Sequence, residues 1–364
     1  MRVLFLTRYP VEGASSRYRV FQYLEYLEVF GVSADVQSFM DTPMYHLSLS
    51  PGRTGVKIWA ALSATVRRLW ALRNWRQYDV IYLQRELLPF GPPIIEAALK
   101  KLGAVLVFDY DDALFIKKAS RYNRLATALR SGDKTRSLFR LAHCVIAGNN
   151  WLRDAAIAAG AKKAVTLEVA EDTARIPMHA AHSNDTSVTI GWLGSPSTVK
   201  YLRSIEPVLQ ELAQRYPHVR WEIMGGNHFK MSGVNWQISD WSLDGELKAL
   251  ARFDIGLMPL PTEDWAKGKS GGKARTYMAA GVVPVVSAIG YNLELINHAE
   301  TGFLCETPDD WERYLVQAIE DADLRQRVAL AARTEVEQRF DPAMTSGKMA
   351  RLLNDVVDDV KKKS

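Results

Sequence analysis

At 364 residues and 48% hydrophobic content, the chain exceeds one usual core and fits a soluble globular protein of two ordinary domains. No apolar run approaches the ~20 residues that cross a bilayer, and Met1-Arg-Val-Leu-Phe-Leu-Thr7 is too short for a signal-peptide core, which leaves it as a first strand. The net charge of +5 is uneven: residues 1–182 hold 25 Lys/Arg against 16 Asp/Glu, and the remainder 21 against 25.

The basic first half suits an anionic partner, whether nucleic acid, a membrane or a phosphorylated substrate. Cys144 and Cys305 lie far apart and form neither a disulfide framework nor a Cys-based metal site, so a reducing cytoplasm is expected.

In chain order, Val3–Thr7 reads as a strand, and Ser15–Phe30 has helical spacing with Gly31 as its stop. Asp79–Gln84 is a strand, Pro92–Leu102 a helix ended by Gly103, and Ala104–Phe108 and Cys144–Ala147 are strands. Asn149–Ala159 is a helix ended by Gly160. The rhythm fades over Ile176–Ser187, where residues 179–185 look like a linker with solvated His179 and His182. A second alternation follows: strand Val188–Trp192, helix Val199–Tyr216, strand Arg220–Met224, helix Leu243–Phe253, strand Asp254–Leu257, helix Lys273–Ala280 and strand Val283–Ser287. Helices fill Pro308–Phe340, and another runs from Pro342 to about Val360. The repeated β-α-β order predicts two doubly wound parallel sheets, with ligands at the carboxyl ends of their strands.

Within the second alternation, Trp265-Ala-Lys-Gly-Lys-Ser-Gly-Gly-Lys-Ala-Arg-Thr-Tyr-Met-Ala-Ala-Gly281 carries the clearest chemistry. Gly271 and Gly272 permit close backbone approach, the helix they open aims free N–H groups outward, and Lys269 and Lys273 add positive charge. That combination suits an anion, foremost a diphosphate; the bland alternative is a basic solvated loop.

In their order and spacing, Ile190–Thr198, Asp254–Leu260, Trp265–Gly281, Gly290–Glu294, Gly302–Leu304 and Pro308–Trp311 resemble the family 4 glycosyltransferases (glycosyl transferases group 1). Ser15–Arg19, Gln84–Glu86 and Phe108–Leu114 look like a subset of that family. The resemblance implies a GT-B fold: two Rossmann-like doubly wound domains facing across a cleft, with C-terminal helices. Residues 1–182 would bind the acceptor and 183–340 the nucleotide sugar, and a helix over 341–364 would pack back toward the first domain.

The implied activity is hexosyltransferase-like: transfer of a sugar from a nucleoside diphosphate sugar to a saccharide or lipid-linked acceptor, with retention and no metal or other cofactor. Carried over by position, Gly194, Ser195, Ser197, Thr198, Lys269, Gly271, Gly272 and Lys273 would hold the diphosphate, and Trp241, Thr276 and Glu294 the nucleoside. The catalytic set would be Asp111, Lys269 and Lys273, with Arg17, Arg19, Arg85 and Asp109 on the acceptor side. One departure stands out. The family's two glutamates, with seven residues between them, fall on Gly268 and Thr276; Glu263 and Asp264 lie close upstream as substitutes. A non-catalytic nucleotide- or glycan-binding member of a polysaccharide assembly complex is therefore the alternative.

Several residues keep more than one reading. Asp109, Asp111 and Asp112 end a strand, where they suit a cleft role, a helix cap by Asp112 before Ala113–Ile116, or a metal. Arg17 and Arg19 suit a phosphate or surface ion pairs. Lys57–Arg76 reads as one helix carrying Trp59, Trp70 and Trp75 with Arg67, Arg68, Arg73 and Arg76, which suits an anionic membrane surface or an aromatic stripe in the core. No helix-turn-helix or zinc pattern points to nucleic acid. The histidines form no ligand spacing, and His143 is read as structural.

Overall fold

The computed structural model of the chain describes residues 1–116, 132–179 and 187–362. They divide into two compact units, Met1–Ala170 with Pro342–Ser364, and Glu171–Asp341.

Unit 1 holds the strands β1 (Arg2–Thr7), β2 (Ser33–Ser38), β3 (Val80–Gln84), β4 (Leu106–Tyr110), β5 (Cys144–Ala147) and β6 (Ala164–Thr166). All pair in parallel, in the order β2-β1-β3-β4-β5-β6. β3, β4 and β5 are buried at every position, as expected for parallel strands covered on both faces. The chain leaves β1 for β2 on one side and β3 on the other, so β1 and β3 frame the topological switch point. The helix Pro342–Lys361 closes this unit: Met349, Leu353 and Val356 join Val20, Tyr23 and Leu27 in one core.

Unit 2 repeats the plan with β7 (Thr189–Leu193), β8 (Arg220–Met224), β9 (Trp236–Ser239), β10 (Ile255–Met258), β11 (Val283–Ser287) and β12 (Phe303–Cys305), again parallel. The order is β12-β11-β10-β7-β8-β9, which puts the switch point between β7 and β10. The helix Gly272–Ala280 lies over it, and Ala274–Ala280 are all buried. Gly191 and Gly256 admit neighbouring rings: a Cβ at either would come within 2.5 Å of Phe253 or Tyr277 respectively.

Three predicted helices are less regular than their spacing. Ser15–Phe30 is broken into Ala14–Arg19, the 3-10 turn Phe21–Tyr23 and Leu24–Val29, because Val20 departs from helical geometry. Lys57–Arg76 is a helix over Thr54–Ala71 followed by the 3-10 turn Leu72–Gln77. Val199–Tyr216 opens as 3-10 and becomes α-helical at Glu206–Arg215, with Pro207 in its first turn, where no N–H is needed. Ala113–Ile116 lie in a turn and not a helix, and the residues 117–131 that follow lie outside the described residues.

The expected linker also differs. Glu171–His179 is strapped onto unit 2: Glu171 N–H donates to Phe340 O at 2.9 Å, and Arg333 Nη1 and Nη2 donate to Ile176 O and Thr173 O at 2.7 and 2.9 Å. The boundary accordingly falls at residue 170 and not 182. Residues 180–186, with His182, lie outside the described residues.

His179 is buried and not solvated. Its Nδ1 lies 2.8 Å from Ala251 O and its Nε2 3.2 Å from Asp254 Oδ1, while Asp254 Oδ2 accepts from Thr189 N–H at 2.8 Å. Burial opposes the imidazolium, but the hydrogen bonds to Asp254 and Ala251 outweigh it and raise the His179 pKa above its usual value. A pKa raised in the folded state contributes stability that is full below the unfolded value and is lost as pH rises through the folded one. Thermal melts of the chain and of His179→Ala across the neutral range check this: the wild type loses stability on raising pH, and the variant lacks that component. Parallel pH profiles would refute the protonated pairing.

Candidate functional site

The carboxyl edge of the unit 2 sheet collects most of the predicted diphosphate residues, and one side chain fixes the arrangement. The Tyr277 hydroxyl accepts from Leu193 N–H at 3.0 Å and donates to Leu257 O at 3.2 Å, pinning the Gly272–Ala280 helix across the β7–β10 switch point. The amino end of that helix therefore sits where β7 stops. Gly271 precedes it with φ 65°, a left-handed conformation that disfavours side chains. A Cβ at Gly271 would come within 2.8 Å of Tyr291 and Leu295, whereas one at Gly272 would meet nothing within 4 Å among the described residues. The helix thus starts against a packed wall on one side and open space on the other.

Lys273 lies across this opening. Its ammonium is 5.3 Å from the centre of the Trp192 ring, and its Cε passes so close to Gly194 that a Cβ there would sit 2.7 Å away. Among the described residues the Lys273 ammonium has no hydrogen-bond or ion-pair partner. Burial lowers its pKa to about 8, and repulsion by Lys269 acts in the same direction. Lys269 in turn stands 4.0 Å over Trp265, whose ring faces Tyr201. The result is two cations held on aromatic faces beside a helix amino terminus, an arrangement that favours an anion through charge, dipole and open N–H groups together.

The loop after β7 supplies hydroxyls. Ser195 Oγ and Ser197 Oγ are 2.8 Å apart, and Thr198 Oγ1 donates to Ser195 O at 3.1 Å. Ser195 and Ser197 are exposed and Thr198 half-buried. Trp241 follows β9, 37% exposed, with its indole N–H donating to Glu246. Gly225 joins the two loops: it accepts no side chain, because a Cβ would collide with Gly194 O at 2.1 Å and approach Trp241 Cβ at 3.0 Å.

Two predicted nucleoside residues are placed differently from those above. Thr276 is 3% exposed and donates to Glu171 Oε2 at 3.1 Å, so its hydroxyl is spent inside the unit. Arg275 approaches the same carboxylate at 3.6 Å. Glu294 is exposed on the short helix Asn292–Leu295, which begins beside Gly271. Asp264, a suggested substitute for the absent glutamates, is exposed and pairs with Lys267 at 2.8 Å; Glu263, also exposed, directly precedes the short helix Asp264–Lys267.

Unit 1 gathers its predicted residues at its own switch point, in two layers. Arg19 and Asp109 are both fully buried and face each other: Arg19 Nε lies 3.0 Å from each carboxylate oxygen, Nη2 also donates, and Nη1 reaches Leu167 O at 2.6 Å. Burial opposes the guanidinium charge, yet Asp109 overrules it and raises the Arg19 pKa. This pair ties the first helix to β4 and offers no exposed surface, which corrects the acceptor-side reading of both residues. Nearer the surface, Arg85 adopts φ 68°, a left-handed backbone that costs a non-glycine residue roughly 1–2 kcal/mol. Its Nη2 meets Asp112 Oδ2 at 2.9 Å and Asp111 Oδ1 at 3.4 Å. Asp111 also accepts from Ser15 Oγ at 2.8 Å, and Ser15 Oγ accepts from Gln84 Nε2 at 2.9 Å. Gln84 Oε1 receives Arg8 N–H and Ser16 Oγ at 3.1 and 2.9 Å. Arg17 is half-buried and folds onto the preceding loop, donating to Glu12 O at 3.2 Å. His143 Nδ1 accepts from Leu106 N–H at 3.0 Å, between neighbouring strands.

Trp192, Gly225 and Glu171 were not legible as part of these sites. Gly225-Gly226 directly after the strand Arg220–Met224 was the available signal for a tight loop. Trp192 alternates as an ordinary core residue, and Glu171 is about a hundred residues from its partner, so neither carries a local pattern.

Residues 275–335 match the family model described as Glycosyl transferases group 1. No curated protein sequence matches the chain. Among solved structures, HepE from Anabaena in complex with UDP and glucose superposes with TM-score 0.68 at 17% identity, covering 98% of this chain and 100% of that one. Sucrose-phosphate synthase from Thermosynechococcus elongatus gives 0.70 at 14% identity over 99% and 100%. A glycosyltransferase from Rickettsia africae ESF-5 gives 0.67 at 14% over 98% of each chain. The two Rossmann-like units and the C-terminal helix are thus those of the GT-B fold.

Replacing Tyr277 by Phe keeps the ring and removes the hydroxyl that bridges Leu193 and Leu257, leaving two buried backbone groups unanswered. The expected cost is about 1–3 kcal/mol, read as a lower denaturant midpoint for unit 2 at unchanged slope. An unchanged midpoint would contradict the anchoring role.

Proposed function

We propose that the chain is a glycosyltransferase of the family 4 type, moving a sugar from a nucleoside diphosphate sugar to a saccharide or lipid-linked acceptor with retention and without a metal. The observation that carries this reading is the partially desolvated Lys273 ammonium, which has no counter-charge among the described residues and stands beside Lys269 and the amino end of the Gly272–Ala280 helix. Negative charge grows on the diphosphate as the bond from the sugar's anomeric carbon to the phosphate oxygen breaks. Fixed cations and helix amides stabilise that charge without reorganising. Lys273, Lys269 and the Ser195–Thr198 loop take this role in the proposal, and the acceptor hydroxyl attacks the anomeric carbon while its proton passes to the departing phosphate. Trp241, partly exposed at the β9 edge, suits stacking on the base. The UDP or UDP-glucose bound in the HepE structures fits the same donor class.

The metal-free part draws support from carboxylates already answered by arginines: Asp109 by Arg19, Asp111 and Asp112 by Arg85. Asp111, hydrogen-bonded to Ser15 and partly exposed, is the acidic group proposed to meet the acceptor or sugar hydroxyls, with Arg85 and Arg17 on the acceptor side. Polysaccharide biosynthesis at the cytoplasmic face of a membrane is the setting this chemistry suits, with the basic helix around residues 57–76 on the lipid side.

A second reading, a nucleotide- or glycan-binding protein without turnover, is favoured by one specific feature. Gly268 and Thr276 stand where the resembled family has glutamates, and Thr276 is buried against Glu171.

Calorimetric titration of UDP, GDP and ADP against the chain and Lys273→Ala, followed by assays with the matching nucleotide sugars, separates the readings. One diphosphate is expected to bind, and the variant to lose about 10- to 100-fold in affinity, the worth of one hydrogen bond to a charged group. Sugar transfer then supports the enzyme. Nucleotide binding with no transfer or hydrolysis for any sugar supports the second reading, and equal binding by both proteins removes Lys273 from the site.

A further inference from the structure

We propose that the outward face of the helix Thr54–Ala71 is an interfacial anchor that lies flat in the headgroup region of an anionic bilayer. The inference goes beyond the donor chemistry of unit 2 and stands on unit 1 alone. At 100° per residue, Ala64 and Arg68 define the side of this helix that faces the unit, and both are fully buried. Trp59, Leu62, Val66 and Trp70 fall on the opposite side and are 74%, 56%, 66% and 63% exposed. An ordinary surface helix is polar there. Seven of the twenty exposed large apolar side chains among the described residues fall between Val56 and Trp70. The face is one continuous stripe and not a scatter, which marks an interaction surface.

The charge around the stripe selects the partner. From Thr42 to Tyr78 there is no Asp or Glu, while Arg53, Lys57, Arg67, Arg68, Arg73 and Arg76 are present. Only Arg68 is buried among them, and Arg67 is paired with Asp41 at 3.0 Å on the stripe's margin. The Arg73 guanidinium lies 3.8 Å over the Trp70 ring, so a cation and an indole are presented together at the helix's end. Trp beside Arg is the chemistry of the headgroup layer, where the ring sits at the acyl boundary and the cation meets phosphate. A partner protein surface would need an acidic rim to match; a bilayer with anionic lipid supplies one uniformly. Among the described residues no helix is long and apolar enough to cross a membrane, so the geometry is in-plane.

The test is flotation of the full chain with vesicles of phosphatidylcholine alone and of phosphatidylcholine containing about one-third phosphatidylglycerol, at low and high salt. The wild type is expected to float with the mixed vesicles and less so at high salt. Trp59→Ser combined with Trp70→Ser is expected to weaken binding at least about tenfold, and Arg73→Gln with Arg76→Gln to remove the preference for anionic lipid. All four side chains are on the surface, so melting curves are expected to match the wild type. Quenching of wild-type tryptophan fluorescence by brominated lipid is expected as well, and it reads insertion without any substitution. Absence of binding to the mixed vesicles, a tryptophan variant that binds as well as the wild type, or a wild-type dimer that this variant dissolves in place of vesicle binding would each overturn the assignment.

Discussion

The candidate site at the start of the Gly272–Ala280 helix in unit 2 depends on a cation, Lys273, that has no counter-charge among the described residues. Lys273 and Lys269 sit close enough for one to depress the other, with Trp192 and Trp265 beneath them. A partly buried ammonium beside a second cation is unfavourable unless an anion arrives, and the fold holds Lys273 in place by unrelated means. Tyr277 spans the β7–β10 gap, Gly194 leaves room for the Lys273 stem, and Gly225 closes the neighbouring loop onto Gly194. Each contact is made by backbone or by a buried ring, so the charge arrangement is set before any ligand enters. Such pre-organisation is the source of electrostatic stabilisation in sites of this kind.

Unit 1 uses charge in the opposite sense. At its switch point the cations are matched, Arg19 with Asp109 in the core and Arg85 with Asp111 and Asp112 nearer the surface, whereas the buried Arg68 on the helix Thr54–Ala71 donates to Thr7 O and has no carboxylate partner among the described residues. A paired buried ion is not by itself a large stabiliser, and removing either partner leaves the other stranded. Its consequence here is orientation. The Arg19 pair fixes the first helix against β4, and the Gln84–Ser15–Asp111 chain of hydrogen bonds follows from that placement. The strained Arg85 backbone is held by its N–H to Asp109 O at 2.9 Å and by its two carboxylate partners.

The eight strands legible as apolar runs are the inner four of each sheet, β1, β3, β4 and β5, then β7, β8, β10 and β11. Interior parallel strands are covered on both faces and read as continuous hydrophobic segments. The edges β2 and β9 carry mixed, partly exposed sequences such as Ser-Ala-Asp-Val-Gln-Ser, and the edges β6 and β12 are only three residues long, too short to read as a run. Local signals also sufficed for the glycine-lysine loop, because a helix start and its flanking charges are contiguous. They failed where the partner is remote: Arg19 with Asp109, Thr276 with Glu171, His179 with Asp254. A residue that looks available in sequence is, in these three cases, consumed by a contact formed only on folding.

The most direct probe of the unrelieved charge is the protonation of Lys273 itself, followed by NMR of its side-chain ammonium with and without saturating nucleoside diphosphate. Titration near pH 8 is expected in the free protein and a clear upward move in the complex, as the negative charge of the diphosphate outweighs burial and offsets Lys269. Titration at the ordinary lysine value of 10.5 in the free chain, or a midpoint that the nucleotide leaves unmoved, would contradict a site built on that charge.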